Sequence, residues 1–112
     1  MDNIAFLKLI VTPTRLRIIN ILLNGKICNS LMNELLNEDE REIEKSISQL
    51  KKYNIIHVEK HKQTVFYSLT NNAINHINTI QNLFSEICTG GIYFKDRKKI
   101  MKFKKNCTKT LL

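Results

Sequence analysis

Apolar residues recur at the spacing of an α-helix in five stretches of the chain, and polar or helix-breaking residues separate these stretches. Thr12 and Pro13 open the second stretch, because threonine caps a helix and proline is tolerated at its first position. Asn24 and Gly25 end this helix, since asparagine and glycine tolerate the left-handed backbone conformation in which many helices end. Helices are therefore predicted over residues 3–11, 13–23, 29–36, 40–53 and 71–88.

Two runs of β-branched and aromatic residues lie between the fourth and fifth predicted helices and predict strands at 55–59 and 65–69. Residues 60–64 join them in a polar turn that contains Lys60 and Lys62. A helix, a turn, a second helix and a hairpin with a basic tip follow one another in winged helix-turn-helix domains, whose second helix enters a DNA groove. The predicted fold class is therefore mainly α with a small β-hairpin wing, a dimeric winged helix-turn-helix.

The fourth predicted helix carries its apolar and its basic side chains on opposite sides. At about 100° per residue, the pattern predicts a buried stripe of Ile43, Ile47 and Leu50. The opposite side is polar and basic, with Arg41, Lys45, Ser48, Gln49 and Lys52. The flanks are acidic, with Glu40, Glu42 and Glu44. Such a face suits phosphates and base edges in a major groove, although an ordinary solvated helix has the same pattern.

The net charge of +8 is concentrated at the C-terminal end of the 112-residue chain. Residues 1–88 contain ten basic and nine acidic residues, whereas residues 89–112 contain eight basic residues and one acidic residue. The chain is therefore predicted to divide into a domain at 1–88, with N- and C-terminal dimerisation helices, and a basic tail at 89–112. A basic tail attracts polyanions such as nucleic acid, and the alternative is a solvated tail that only favours solubility.

Several classes of protein are not indicated by this sequence. No apolar run reaches the ~18 residues of a membrane span, and the acidic start shows no signal peptide, so we expect no membrane partner and a cytoplasmic location. Three cysteines without paired spacing argue for a reducing compartment rather than a disulfide framework. No phosphate-binding loop or catalytic constellation is found, so an enzyme is not expected.

Four separated segments resemble, in order and spacing, the signature of the ArsR/SmtB family of bacterial and archaeal repressors. Phe6–Ile18 is similar to the opening string of that family, and Gly25–Leu35 is similar to its next helix. Ile43–Ile56 resembles the recognition helix and its exit into the wing, and Val65–Leu69 resembles the second wing strand. The resemblance covers residues 4–88, and the basic tail has no counterpart.

The resemblance implies a prokaryotic homodimer that binds double-stranded DNA at an operator of twofold symmetry. Such a protein would repress transcription and release the operator when an inducer binds. Its two subunits would join through the first and last helices of the domain. The residues predicted for this dimer contact are Phe6, Leu9, Ile77, Ile80 and Phe84.

The DNA-contacting helix positions of the family fall at Glu40, Glu42, Glu44, Lys45 and Ser46. The three glutamates depart from the family's usual Ser, Gln, Thr, Arg and His, since a glutamate accepts a hydrogen bond from cytosine but repels phosphates. The family's Gly-Arg pair in the wing falls at Lys62 and Gln63. Taken together, the residues predicted to face DNA are Arg41, Glu42, Lys45, Ser46, Gln49, Lys60 and Lys62.

The sequence leaves the sensing chemistry open. Soft-metal sensors of the family use a Cys-x-Cys pair, which falls here at Cys28 and Ser30, and a single thiolate cannot hold a soft metal. The positions of the family's zinc ligands hold Asn71, Ala73, Phe84 and Ile87, so no metal or other cofactor is expected. Candidates for a metal or redox site, with burial as small core residues as the alternative, are Cys28, Cys88 and Cys107.

Two other functions remain open at this point. A winged-helix module could bind a protein partner through its acidic helix, which predicts no salt-dependent binding to DNA. The basic tail could instead drive non-specific binding to nucleic acid, which predicts an affinity that falls steeply with salt and ignores sequence. A specific repressor keeps a preference for its operator at physiological salt.

Overall fold

The computed structural model describes the backbone of residues 1–88 and 90–111 and the side chains of residues 1–88 and 90–102. Its helices are α1 (Asn3–Ile10), α2 (Pro13–Leu22), α3 (Asn29–Leu36), α4 (Glu40–Lys52), α5 (Asn71–Thr79), α6 (Gln81–Ile87) and α7 (Gly91–Leu111). Its strands are β1 (Ile27–Cys28), β2 (Ile56–His61) and β3 (Thr64–Leu69). The predicted fold class, mainly α with a small antiparallel wing, is confirmed.

The predicted helix starts are confirmed where a side chain caps the helix. The Thr12 hydroxyl accepts a hydrogen bond from the backbone N–H of Arg15 at 3.3 Å, and Pro13 is the first residue of α2. The Asp39 carboxylate accepts a hydrogen bond from the backbone N–H of Arg41 at 3.1 Å at the start of α4. Each cap satisfies a donor that the first turn of a helix leaves unpaired, so both starts are fixed by local chemistry.

The three strands form one antiparallel sheet in the order β1-β3-β2. The predicted hairpin is confirmed, but the predicted five-residue turn is wrong. His61 pairs with Thr64, so that Lys62 and Gln63 alone separate the strands. The sequence did not predict β1, because a strand of two residues is too short to show an alternating pattern.

The segment predicted as one helix over 71–88 is two helices, because it is interrupted at Ile80. Ile80 has φ −103° and ψ 21°, and it caps the end of α5 and the start of α6. One residue earlier, the Thr79 hydroxyl donates to the backbone carbonyl oxygen of Asn75 at 3.0 Å. A threonine that bonds back to the preceding turn weakens and bends a helix, which favours the interruption at this place.

α2 is the central element of the core, since eight of its ten residues are buried. A helix that is buried on all sides needs neighbours on all sides. Four described elements of the domain pack on α2, namely α1, α3, α4 and β3, and α7 packs on it as well.

Within the part of the chain that the structure describes, no helix is both long and apolar enough to cross a membrane.

The basic tail therefore begins as a helix that is packed against the domain. Ile100 of α7 is 1% exposed and belongs to the same apolar cluster as the side chains of α2. Asp96, the acidic residue of this segment, is 2% exposed. The described part of α7 exposes four lysines, Lys95, Lys98, Lys99 and Lys102, beside the apolar Ile92, Phe94 and Met101. The first half of the tail is thus part of the folded unit rather than a solvated extension.

Candidate nucleic-acid interface

Three residues, 37–39, join α3 to α4 and form the turn of the helix-turn-helix motif. Asn37 has a left-handed backbone, with φ 47° and ψ 46°, and its N–H donates to the carbonyl oxygen of Asn33 at 3.0 Å. Asparagine tolerates this conformation better than most other non-glycine residues do. Because Asp39 then caps α4, one residue ends the first helix and another starts the second.

The outer face of α4 carries exposed charged residues. Arg41, Glu42 and Lys45 are exposed, and Gln49 is half-buried. On the opposite side, Ile43 and Leu50 are buried in the core. The predicted division of this helix into a buried and a basic polar side is therefore observed at Arg41, Ile43, Lys45 and Leu50.

Ser46 lies on the buried side of α4, against the prediction that it faces DNA. Its exposed fraction is 2%. Ser46 follows Ile43 by three residues and precedes Leu50 by four, so the three side chains share one side of the helix. Ile47, which the sequence placed in the buried stripe, is half-buried instead. The serine hydroxyl is consequently not available to a groove that docks on the exposed face.

The glutamates of α4 have an electrostatic role within the fold. Glu40 and Glu42 lie in the first turn, where the partial positive charge of the helix N-terminus favours carboxylates. Glu40 and Glu44 also line a cleft of about 280 Å³ between α3, α4 and β3. Tyr67 lines the same cleft, and burial, with a further contribution from the charge of Glu44, raises its pKa. Glu40 and Glu42 can therefore be explained by the stability of α4, whereas DNA contact alone does not explain them.

The wing carries both of its predicted lysines on the surface. Lys60 and Lys62 are exposed, and Lys62 adopts a left-handed backbone with φ 58° in the two-residue turn. In β2, the Glu59 carboxylate accepts a hydrogen bond from Lys26 Nζ at 2.6 Å and lies 2.9 Å from His61 Nε2. These two partners, Lys26 first, lower the pKa of Glu59 to about 2. The acidic residue of the wing thus has cationic neighbours of its own, whereas no described carboxylate forms an ion pair with Lys60 or Lys62.

A buried arginine that the sequence did not single out connects the motif to α7. Arg17 Nε and Nη2 each donate to a carboxylate oxygen of Asp96 at 3.1 Å. Nη1 donates to the Glu38 carboxylate at 3.0 Å and to the carbonyl oxygen of Leu36 at 2.9 Å. Nη2 also donates to the carbonyl oxygen of Leu35 at 2.9 Å. All five donors of the guanidinium are therefore engaged by the end of α3, the turn and α7.

The charge of Arg17 is stable at this buried position. Burial by itself would lower the pKa of the guanidinium, but the hydrogen bonds and charges of Asp96 and Glu38 outweigh burial, and the pKa is raised. The sequence did contain a signal for this network. Arg17 has an apolar residue before it and after it in the sequence of α2, the most buried helix. A charge at such a position needs partners.

Three of the residues predicted for dimerisation are already buried in the core of the single chain, namely Phe6, Ile77 and Phe84. The other two, Leu9 and Ile80, are half-buried and pack against this core. Phe6 stacks on His76 of α5 with ring centroids 4.8 Å apart. The prediction that these three side chains meet a second subunit is therefore not supported by their placement, because a partner would find them covered. Apolar side chains that the same region exposes include Ile4, Ile74 and Leu83.

Two of the candidate cysteines are separate buried thiols. Cys28 and Cys88 are both buried, and Cys28 Sγ lies 3.5 Å from the hydroxyl of Ser30. Burial raises the pKa of Cys88, although the charge of Arg97 opposes this shift. The side chain of Cys107 lies outside the described residues. Among the side chains of 1–88 and 90–102, no three His, Cys, Asp or Glu residues are grouped so that they could hold a metal ion.

The helix pair, the short turn and the antiparallel wing define a winged helix-turn-helix protein, and several solved structures share this fold. HlyU from Vibrio cholerae matches with a TM-score of 0.63 and 22% identity, over 71% of this chain and 88% of that chain. The transcriptional repressor BigR from Xylella fastidiosa matches with a TM-score of 0.64 and 18% identity, over 79% and 88%. NolR from Sinorhizobium fredii matches with a TM-score of 0.61 and 22% identity, over 73% and 79%.

No protein-family model matches the chain, and no curated protein matches it. At identities of 18–22%, the likeness to the solved structures establishes the fold. That fold agrees with the one implied by the resemblance of residues 4–88 to the ArsR/SmtB family.

Proposed function

We propose that the protein is a DNA-binding transcriptional regulator, and more specifically a repressor that binds a twofold-symmetric operator as a homodimer. The observation that carries the proposal is the outer face of α4, where Arg41 and Lys45 are exposed opposite the side that packs into the core. The short turn from α3 precedes this face, and the wing with exposed Lys60 and Lys62 follows it. This is the order in which winged-helix domains place a helix in the major groove and a wing on the adjacent backbone.

The exposed residues would share the work of recognition. Arg41 and Lys45 are suited to guanine edges or to phosphates, and the half-buried Gln49 is suited to adenine. Glu42 would accept a hydrogen bond from the amino group of cytosine. Lys60 and Lys62 would neutralise phosphates, which strengthens binding without reading sequence.

A second copy of the chain is the partner that we propose for dimerisation. Ile4 of α1 is 66% exposed and Leu83 of α6 is 44% exposed, so each leaves apolar surface that a partner could bury. A symmetric dimer would present two copies of α4 to half-sites about 34 Å apart. The burial of Cys28 and Cys88 as small core residues agrees with a reducing cytoplasm as the location that we propose.

The direct test is a DNA-binding titration at two salt concentrations, with the promoter fragment upstream of the protein's own gene and with a random fragment. Lys45→Ala should weaken promoter binding about tenfold or more and flatten its salt dependence by about one unit of slope. Lys51→Ala is the matched control, because it removes the same charge from the last turn of the same helix. Equal losses in the two variants would contradict α4 as the reading helix.

A non-specific nucleic-acid binder remains the second candidate, and the exposed lysines of α7 favour it. Truncation cannot test this, because it would remove the buried Asp96 and Ile100. A variant with four Lys→Gln substitutions at Lys95, Lys98, Lys99 and Lys102 keeps both residues. Promoter preference that survives in this variant supports a specific regulator. Binding that vanishes with these charges supports the second candidate, and no salt-dependent binding in the wild type points to a protein partner.

A further inference from the structure

A cavity of about 370 Å³ lies between α2, α6 and α7, away from the outer face of α4. Its lining residues are Asn20, Leu23, Phe84, Ser85, Cys88 and Arg97. Its volume falls in the range of about 300–1,000 Å³ that is usual for small-molecule sites. It also combines apolar walls with a few polar groups, which is the usual composition of such sites.

The polar side of this cavity has donors that lack good acceptors. Arg97 Nη1 reaches the Asn20 side-chain oxygen at 3.4 Å, which is long for a charged hydrogen bond. No described carboxylate pairs with Arg97, and none of the described residues that line the cavity is acidic. Asn20 is 3% exposed, and its amide nitrogen has no hydrogen-bond partner among the described residues. A buried donor without an acceptor is costly, so an acceptor supplied by a ligand would be favoured here.

A carboxylate is the acceptor that fits this arrangement. It can take two parallel hydrogen bonds from a guanidinium, which a single amide oxygen cannot do. Once a carboxylate replaced the amide oxygen as the partner of Arg97, the Asn20 side chain could turn so that its nitrogen donates to the ligand. Leu23 and Phe84 offer apolar contact to the remainder of such a molecule.

We infer that this cavity binds a small monocarboxylate with a short apolar chain, held by Arg97 and Asn20. The position of the site also suggests how binding reaches the DNA-facing helix. Asp96 precedes Arg97 on α7, and its carboxylate is held by Arg17. The same guanidinium holds the end of α3 and Glu38 in the turn before α4. A shift of α7 on binding is therefore transmitted through one buried side chain to the turn.

The binding step is independent of any DNA-binding activity, whereas the regulatory step rests on the proposed function. The binding step is tested by NMR on the ¹⁵N-labelled full chain, titrated with sodium hexanoate at constant ionic strength. Saturable shifts at the Asn20 side-chain amide and at the Cys88 backbone amide are expected. Hexanamide, which has the same chain without the charge, should produce none. Equal responses to both compounds, or a stronger response to inorganic phosphate, would overturn the assignment.

Two substitutions on α7 give a matched comparison for the anchor. Arg97→Gln should weaken hexanoate binding by about 10- to 100-fold, because it removes a charged hydrogen-bond donor from a partly buried site. Lys99→Gln removes the same charge from an exposed position of the helix and should change binding by less than about twofold. Similar affinities in the two variants would show that hexanoate responds to the general charge of α7 and not to this cavity.

The regulatory step is tested on the wild-type chain, so that no variant has to fold. Hexanoate should shift the backbone amides of residues 37–39 and should change the promoter affinity. Shifts confined to the cavity, with unchanged DNA affinity, would overturn the coupling while leaving the binding site in place. If the protein binds no DNA at all, the proposed function fails, and the amides of the turn alone decide whether the cavity and the motif are coupled.

Discussion

Replacement of Arg17 by methionine should cause a large loss of stability, because it breaks a buried ion pair. Methionine has a similar length and keeps the apolar contacts of the arginine stem, but it removes all five donors. The Asp96 carboxylate, with a side chain 3% exposed, would lose its ion pair, and the carbonyl oxygens of Leu35 and Leu36 would lose a donor each. Glu38, whose side chain is 30% exposed, would be left to water at smaller cost.

Removal of one partner from a buried ion pair typically costs about 3–5 kcal/mol. Since a small domain is stable by only about 5–15 kcal/mol, this loss would take away a large part of the total. A loss of that size corresponds to a decrease in Tm of roughly 10–20 °C for a chain of this length. Urea unfolding followed by circular dichroism should show a lower midpoint and an unchanged slope, because the surface exposed on unfolding stays the same.

Arg15 on the same helix offers a matched control. It is half-buried, and its side chain makes a single described hydrogen bond, from Nη1 to the carbonyl oxygen of Leu9 at 2.8 Å. Arg15→Met should therefore cost only about 0.5–1.5 kcal/mol. The double variant Arg17→Met with Asp96→Leu removes both buried charges and should recover much of the loss. The reasoning is refuted if Arg17→Met costs no more than Arg15→Met, or if the double variant is as unstable as the single one.

Three further predictions concern the wing and the buried thiol. The pKa of Glu59 should be about 2 by NMR titration, below its ordinary value of 4.5. Its contribution to the stability of the fold is therefore complete above pH 4.5 and is lost as the pH falls toward 2. A measured pKa near 4.5 would contradict its pairing with Lys26. Lys62→Asn should preserve or raise the unfolding midpoint, because asparagine tolerates the left-handed turn, and should lower the salt slope of DNA binding by about one unit; Lys8→Asn is the control for charge alone. Cys88 should react with iodoacetamide more slowly in the native protein than in urea, because burial raises its pKa and so lowers the fraction of reactive thiolate. Peptide-resolved mass spectrometry measures the two rates, and equal rates would contradict the raised pKa.

The α2–α4 region shows how far local rules determine this fold. The start of α2 was predicted from Thr12 and Pro13, and the predicted start of α4 at residue 40 is fixed in the same way by Asp39, since a capping side chain bonds to a backbone group two or three residues away. The observed bounds of α3 agree with the predicted 29–36 for a similar reason, because the spacing of its leucines is a property of one helix turn. The basic outer face of α4 follows from the same periodicity.

Decisions that depend on contacts between distant segments were not available to this reasoning. Ser46 is buried and Ile47 is only half-buried because of the way α4 is rotated against its neighbours. The periodicity of the sequence does not fix this rotation to better than one residue. The strand β1 exists only because β3 supplies its hydrogen bonds. The turn of the wing is shorter than its polar composition suggests, because strand pairing continues through polar residues when their backbones are aligned.

Local sequence patterns were enough to predict the first four helices, the hairpin, the charged face of α4 and the concentration of positive charge at the C-terminal end. The packing of this basic segment on α2 depends on tertiary contacts, because Arg17 holds Asp96 from 79 positions away along the chain. It also brought Asn20 and Arg97 to one cavity. These two kinds of feature differ in the range of the interactions behind them. Capping and helical periodicity act within about four residues. A buried charge, in contrast, is tolerated only where distant parts of the fold supply its partners.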